Sequence, residues 1–314
     1  MKVSIVVPCF NEEAAIPLFF QEVEKYRGTY TFEYLFIDDG SKDQTLPVIK
    51  DLAAAHDSVR FVSFSRNFGK EAALYAGLQA ATGDLVTVMD VDLQDPPELL
   101  PEMIERILTS DVDCIGTRRS TREGEPVIRS FFAKKFYQLI NRISDTEMVD
   151  GARDFRLMTR QMVNAVLELT EYNRFSKGLF SWVGFKTEYI SYENRERVAG
   201  ETSWSFWNLF NYSIDGIINF SDTPLTIASV IGALSCVGSI LALVFIVLRA
   251  LLFGDPTSGW PSIVSITLFI GGVQLLCLGI IGKYIGRIFL ETKKRPIYIC
   301  KETNLKQEHE ERDE

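Results

Sequence analysis

The sequence is poor in the residues that build zinc centres and disulfide frameworks. It holds two histidines, His56 and His309, and five cysteines, Cys9, Cys114, Cys236, Cys277 and Cys300, scattered without any C-x-x-C spacing. A tetrahedral zinc site and a stapled secreted scaffold are excluded on that count. Positive charge is short as well: 33 Lys and Arg stand against 42 Asp and Glu, a net charge of −9. No overall field therefore draws the chain to nucleic acid, which is not expected as a partner. A secretory leader is not expected either, because "MKVSIVVPCFNEE" offers one Lys and a short apolar run before Asn and two Glu interrupt it. The first domain is expected to begin in the cytosol.

Charge is absent from two long stretches. Residues 223–248, "TPLTIASVIGALSCVGSILALVFIVL", and residues 256–282, "PTSGWPSIVSITLFIGGVQLLCLGIIG", contain no Asp, Glu, Lys or Arg. Each exceeds the roughly 20 residues that a helix needs to cross a bilayer core of about 30 Å. Two transmembrane helices are expected within residues 223–290, with burial inside a soluble core as the alternative. Arg249 and Asp255 are the charges between them, whereas Lys283, Arg287, Lys293, Lys294, Arg295 and Lys301 follow. That asymmetry places both ends of the pair on the cytoplasmic side. The expectation is a multi-pass protein of the plasma membrane with its N-terminal domain and both termini in the cytoplasm, and with residues 291–314 a solvated tail.

Ahead of the membrane pair, "KVSIVVPCF", "YLFID", "VRFVSFS", "DLVTVMD" and "VDCIGT" read as strands separated by helical patterns. Alternation of this kind predicts an α/β, doubly wound, mainly parallel sheet, whose ligands sit outside the carboxyl ends of the strands. Asn11, Glu12 and Glu13, then Asp38 and Asp39, Arg66 and Asn67, Asp90 and Asp92, and Arg118 and Arg119 all fall at such ends. A single polar strand end merely meets water, but five in succession point to one functional edge. Asp90 and Asp92, at i and i+2, would share a face of an extended segment. Two carboxylates there, without nearby His or Cys, favour a hard ion, Mg²⁺ or Mn²⁺, completed by substrate phosphates. The D-x-D triplet also occurs in turns and calcium loops, yet "DVDLQDPPELLPE" has no Gly for such a loop. Asp95, before "PP", reads as a helix cap.

In this order, "VSIVVPCFNEE", "FIDDGSKDQT", "SRNFGKEAALYAGLQAATGD", "DVDLQDPPE", "DFRLM" and "RERVAGETSW" resemble family 2 glycosyltransferases of GT-A fold. With the C-terminal membrane pair, the narrower resemblance is to bacterial polyprenyl-phosphate (bactoprenol) glycosyltransferases and dolichyl-phosphate mannose synthases. The resemblance implies a GT-A domain over 1–203, an amphipathic juxtamembrane helix over 204–222, the membrane region over 223–290 and the tail over 291–314. It implies that Pro8, Phe10, Glu12, Asp39, Asp90, Gln94 and Arg118 bind the nucleotide sugar, and that Asp90 and Asp92 hold the metal. Arg129 and Arg197 would meet the acceptor phosphate, with Asp154, Asp92 and Arg197 as the catalytic set. Arg suits phosphate because its planar fork binds two oxygens at once. For Arg129 a plain surface role stands beside that reading. Ser203 departs from the family pattern, standing where related sequences often carry Lys.

The reaction so implied is inverting transfer of a hexose from a nucleoside-diphosphate sugar to undecaprenyl phosphate. UDP-glucose is the first choice of donor, with UDP-N-acetylglucosamine or GDP-mannose as alternatives. A phosphate acceptor is already a nucleophile at neutral pH. Asp154 is therefore expected to orient or stabilise, with a base role, a helix cap or a pairing with Arg153 or Arg156 as alternatives. Residues 128–143 and 204–220 each carry an apolar helical stripe that fits either the membrane interface or the sheet. A processive synthase would want a Q-x-x-R-W motif and more spans. A non-catalytic sugar-nucleotide scaffold is disfavoured by intact Asp39, Asp90, Asp92 and Asp154, and a transporter by charge-free helices. Association into a homo-oligomer through the membrane region follows from the resemblance alone.

Overall fold

The computed structural model describes residues 1–119, 138, 140–144, 149, 151–193, 214, 216–253 and 259–305. Four parallel strands form the centre: β1 (Lys2–Cys9), β2 (Thr31–Asp38), β3 (Val59–Phe64) and β4 (Leu85–Val88). They are linked by α1 (Ala15–Glu24), α2 (Thr45–Ala55) and α3 (Lys70–Ala80). After β4 the chain makes a short 3-10 turn at Pro97–Leu99 and continues as α4 (Leu100–Thr109). Then come β5 (Cys114–Arg119), β6 (Ala152–Thr159), α5 (Arg160–Glu168), α6 (Ser176–Trp182) and β7 (Thr187–Tyr192). The C-terminal part holds α7 (Thr223–Phe253), α8 (Trp260–Thr292) and β8 (Cys300–Thr303).

The central strands are apolar at consecutive positions because both faces are covered. Val3, Ile5 and Val7 of β1 pack with Phe19 of α1, Ile49 of α2 and Met103 of α4, whereas Val6 faces Leu74 and Leu78 of α3 and Met162 of α5. Gly77 lets α3 lie close, since a Cβ there would come within 2.2 Å of Val6 Cγ1. That seat determines where α3 begins.

Among the described residues the sheet has eight strands, in the order β7-β5-β6-β4-β1-β2-β3-β8. The expected parallel series is broken by β6, which runs antiparallel between β4 and β5. β5 therefore keeps the direction of β4, and the first residues of β6 arrive at the edge where β1 to β5 end. Arg118 and Arg119 belong to β5 itself rather than to a following loop.

The far edge differs from the expected solvated tail. Residues Cys300–Thr303 add antiparallel to β3 as β8. Asn304 Oδ1 accepts from the Phe61 amide at 2.8 Å, Lys50 pairs with Glu302, and the Tyr298 ring stacks on Phe64 with centroids 4.8 Å apart. An edge strand is thereby covered.

Among the described residues, Phe269–Thr292 within α8, 24 residues holding an 18-residue window of mean hydropathy 1.6, is long and apolar enough to cross a membrane. Thr223–Gly238 is a shorter apolar stretch, so two clear spans narrow to one by this measure. The end of α8 docks on the α/β domain: Glu291 accepts from the amides of Tyr172 (3.0 Å) and Asn173 (3.1 Å), and Arg287 donates to Asn173 Oδ1. Of the two amphipathic stretches, Ile140 is fully buried and packs with Phe175, Ile217 and Phe220. At those residues the apolar stripe meets protein. Residues 128–137 and 204–213 lie outside the described residues.

Candidate active site

Asp90 and Asp92 lie beyond β4, not in an extended segment as expected from their spacing. The chain turns there, and Leu93 takes φ +55°, an unusual conformation for a branched side chain. Asp92 is buried, and its Oδ1 accepts from the Gln94 amide at 3.1 Å. Gln94 Oε1 accepts in turn from Arg119 Nη2 at 3.4 Å. The turn, rather than strand alternation, orients this pair.

Asp95 is no helix cap. Its side chain is fully buried and accepts from Arg153 Nε at 3.1 Å and from Tyr192 Oη at 2.6 Å. It ties the acidic turn to the start of β6 and the end of β7. Burial, followed by the neighbouring Asp95, pushes the Tyr192 phenol up.

Asp39 is also buried, and both oxygens accept backbone amides, from Phe68 at 2.6 Å and Gly69 at 2.9 Å. Burial raises its pKa despite these two bonds. Gly69 has φ +98°, a conformation that favours glycine, and leads directly into α3. Asp39 thus shapes the turn that places the first residue of α3, Lys70.

Lys70 is the residue that sequence reasoning missed. Its ammonium lies 2.6 Å from Asp90 Oδ1, 2.9 Å from Asp90 Oδ2 and 2.6 Å from Asp154 Oδ2. Asp154 reaches it because β6 enters antiparallel. For Asp154, burial pushes the carboxyl pKa up, but Lys70 and then Lys177 outweigh it and hold the group well below the usual range. The partner shifts the opposite way, upward: burial lowers the Lys70 pKa, but Asp154 and Asp90 outweigh it and raise it. Asp154 therefore pairs with Lys70, not with Arg153 or Arg156. Arg153 goes to Asp95, and Arg156 stacks 4.0 Å over the Phe180 ring. A signal for Lys70 was present in "FGKEAA": a lysine opening a helix opposes the macrodipole, so its charge answers to something else.

The remaining expected residues that the structure describes lie at the ends of strands on the same sheet edge. Phe10, just past β1, is 43% exposed, as a ring available for stacking must be. Pro8 lies in β1 beside it, and the Glu12 amide donates to Thr45 Oγ1 at 2.8 Å. Arg118 Nε donates to Ser191 Oγ at 2.9 Å. Arg129, Arg197 and Ser203 lie outside the described residues.

The donor set suits a hard cation. Asp90 and Asp92 offer only carboxylate oxygens, and Asp90 already binds a positive group through both oxygens. Among the described residues no three His, Cys, Asp or Glu side chains converge on one point. A pair of this kind needs further oxygens, such as those of a diphosphate.

The Glycosyl transferase family 2 profile matches residues 4–167. The prophage bactoprenol glucosyl transferase homolog of Escherichia coli (strain K12) is 43% identical over 303 residues, covering 96% of this chain and 99% of that one. The bactoprenol glucosyl transferase of Shigella phage SfX is 44% identical over 303 residues, with the same coverage of 96% and 99%. Among solved structures, glucosyl-3-phosphoglycerate synthase from Mycobacterium tuberculosis in complex with Mn²⁺ and UDP-glucose is similar at 21% identity and a TM-score of 0.45, covering 69% of this chain and 77% of that one.

Proposed function

The chain belongs to glycosyl transferase family 2 and is a glycosyltransferase, and from that premise we propose that it moves glucose from UDP-glucose to undecaprenyl phosphate at the cytoplasmic face of the membrane. The observation that carries this reading is the Lys70–Asp90–Asp154 centre at the functional sheet edge, in a chain whose bactoprenol glucosyl transferase relatives align along nearly its whole length. Both α7 and α8 anchor the protein in this proposal, with the α/β domain and both termini in the cytoplasm. The product would be a β-linked polyprenyl-phosphate sugar, formed with inversion.

In this reading Phe10 stacks on the base, and Pro8, Glu12 and Arg118 line the nucleotide-sugar cradle. Asp39 serves through the loop that it holds. Asp90 and Asp92, with Gln94 beside them, would hold Mg²⁺ or Mn²⁺, and when bound such an ion supplies charge stabilisation for the departing diphosphate. Asp154, kept ionised by Lys70, is a poor proton acceptor; it orients the acceptor phosphate or its basic partners. A phosphate dianion needs no strong base. Arg129 and Arg197 are proposed to hold that phosphate.

The test is purified full-length protein with undecaprenyl phosphate and a panel of labelled UDP-, GDP- and dTDP-sugars. Lipid-linked glucose from UDP-glucose is expected. No lipid-linked product from any donor refutes the reaction, and product from UDP-N-acetylglucosamine or GDP-mannose alone refutes the donor. Asp92→Asn is expected to lower turnover by at least about 100-fold, in line with the loss of a group that stabilises transition-state charge, while membrane insertion and fold are kept. Unchanged turnover would remove Asp92 from the site.

A further inference from the structure

We propose that Lys70 is a positioning residue that occupies Asp90 in the donor-free enzyme and yields it to the divalent cation. This rests on the reading of Asp90 as a metal ligand given above. The ammonium spans both oxygens of Asp90, at 2.6 and 2.9 Å, so the same carboxylate cannot serve a cation at full strength while Lys70 stays. Its other partner, Asp154 Oδ2 at 2.6 Å, lies on β6 rather than in the acidic turn and remains when Asp90 is given up.

The backbone under Lys70 is fixed from three sides. Asp39 holds the Phe68–Gly69 turn ahead of it. Gly77 seats α3 against Val6. Glu71, the next residue, accepts from the Ser176 amide at 2.9 Å and from the Ser176 hydroxyl. The four-carbon stem remains free to move its head group, and the side chain is 39% exposed. A rigid base and a mobile charged tip are what an exchange requires. Helix stability does not explain the lysine, since a cation in the first turn of α3 is opposed by the macrodipole. Direct contact does: the ammonium bridges the carboxylates of Asp90 and Asp154, while Lys177 and Arg153 add positive charge without such a contact.

A purely structural Lys70, stapling β6 to the acidic turn, would give the opposite result in a binding experiment. The measurement is Mn²⁺ titration of the full-length protein in lipid nanodiscs, followed by the electron paramagnetic resonance signal of free Mn²⁺, without nucleotide. Lys70→Met is expected to bind Mn²⁺ about five- to tenfold more tightly than the wild type, the equivalent of removing a competitor worth about 1 kcal/mol at a partly exposed site. Lys70→Arg, which keeps the competing charge, is expected to stay within about twofold of the wild type on the same scale. Equal or weaker Mn²⁺ binding by Lys70→Met overturns the inference, and so does Mn²⁺ binding by neither protein. Lys70→Gln, of intermediate polarity, provides the same reading if the Met variant fails to fold. Transfer to undecaprenyl phosphate is scored separately on the wild type. Its absence removes the proposed reaction, whereas intact transfer with an unchanged Mn²⁺ ratio removes only the role of Lys70.

Discussion

Asp95→Asn separates two accounts of one residue. A cap and a buried ion-pair partner look alike in sequence, but Asn replaces Asp at a helix N-terminus at almost no cost. Here the Asp95 side chain is fully buried and pairs with Arg153, whose side chain is 23% exposed. Removing one member of a buried pair costs about 3–5 kcal/mol, because the other charge is left uncompensated. Water can reach part of Arg153, and Asn can still accept from Tyr192, so about 2–3 kcal/mol is the working figure. For a domain of this size that corresponds to a fall in Tm of about 4–12 °C, read by differential scanning fluorimetry of the detergent-solubilised protein at one fixed scan rate. The cycle with Arg153→Met should show coupling of at least about 1 kcal/mol, the double variant losing less than the sum. An Asp95→Asn variant melting within about 1 °C of the wild type, a change far below the expected range, would refute the ion-pair account.

Three further perturbations test how the site is held. Gly77→Ala forces a methyl to within 2.2 Å of Val6 Cγ1, and chemical denaturation should show a loss of about 1–3 kcal/mol; an unchanged midpoint would mean that α3 does not sit where it is placed here. Glu33 is pushed up by burial, but Lys2, the Ser4 hydroxyl and Thr82 outweigh that and lower its pKa. Its contribution is therefore complete above the unfolded carboxylate value of about 4.3 and fades as the pH falls through the depressed folded value. The Tm gap between the wild type and Glu33→Gln should accordingly be wide at neutral pH and shrink in strong acid, and a gap that widens in acid contradicts the sign. Asn173→Ala removes the Arg287 contact and one bond to Glu291, two half-buried hydrogen bonds worth about 0.5–1.5 kcal/mol each. Faster proteolysis of the 170–175 loop should follow, and an unaltered digestion rate would show that the end of α8 is held elsewhere.

What could be read in the sequence was set by how uniformly each element obeys one rule. β1 to β4 are buried on both faces, so their apolar runs stand out, and their parallel course gathers Asp38, Asp39, Asp90 and Asp92 at one edge. β6 hides because "ARDFRLMT" carries Arg153, Asp154 and Arg156 inside a strand, and β8 because "CKET" is a polar edge strand paired on one side only. Both are strands through tertiary pairing, which overrides local propensity. Missing β6 meant missing the way in which Asp154 reaches Asp90, and with it Lys70, the charge between them.

The residues that carry the site share a trait that local rules do expose. Lys70 opens a helix whose dipole opposes it, Leu93 takes a left-handed backbone conformation despite its branched side chain, and Asp95 and Arg153 place charge where burial is costly. Each is locally unfavourable, and all border the turn that presents Asp90 and Asp92. Strain and misplaced charge persist where the surrounding structure over-determines them. Asp39, Gly77 and the Glu71–Ser176 contact provide that determination on one side, and Tyr192 does so on the other. The acidic edge is thus held as one frame around the Lys70 ammonium, and on the proposal above that frame would let Lys70 exchange partners without moving Asp154.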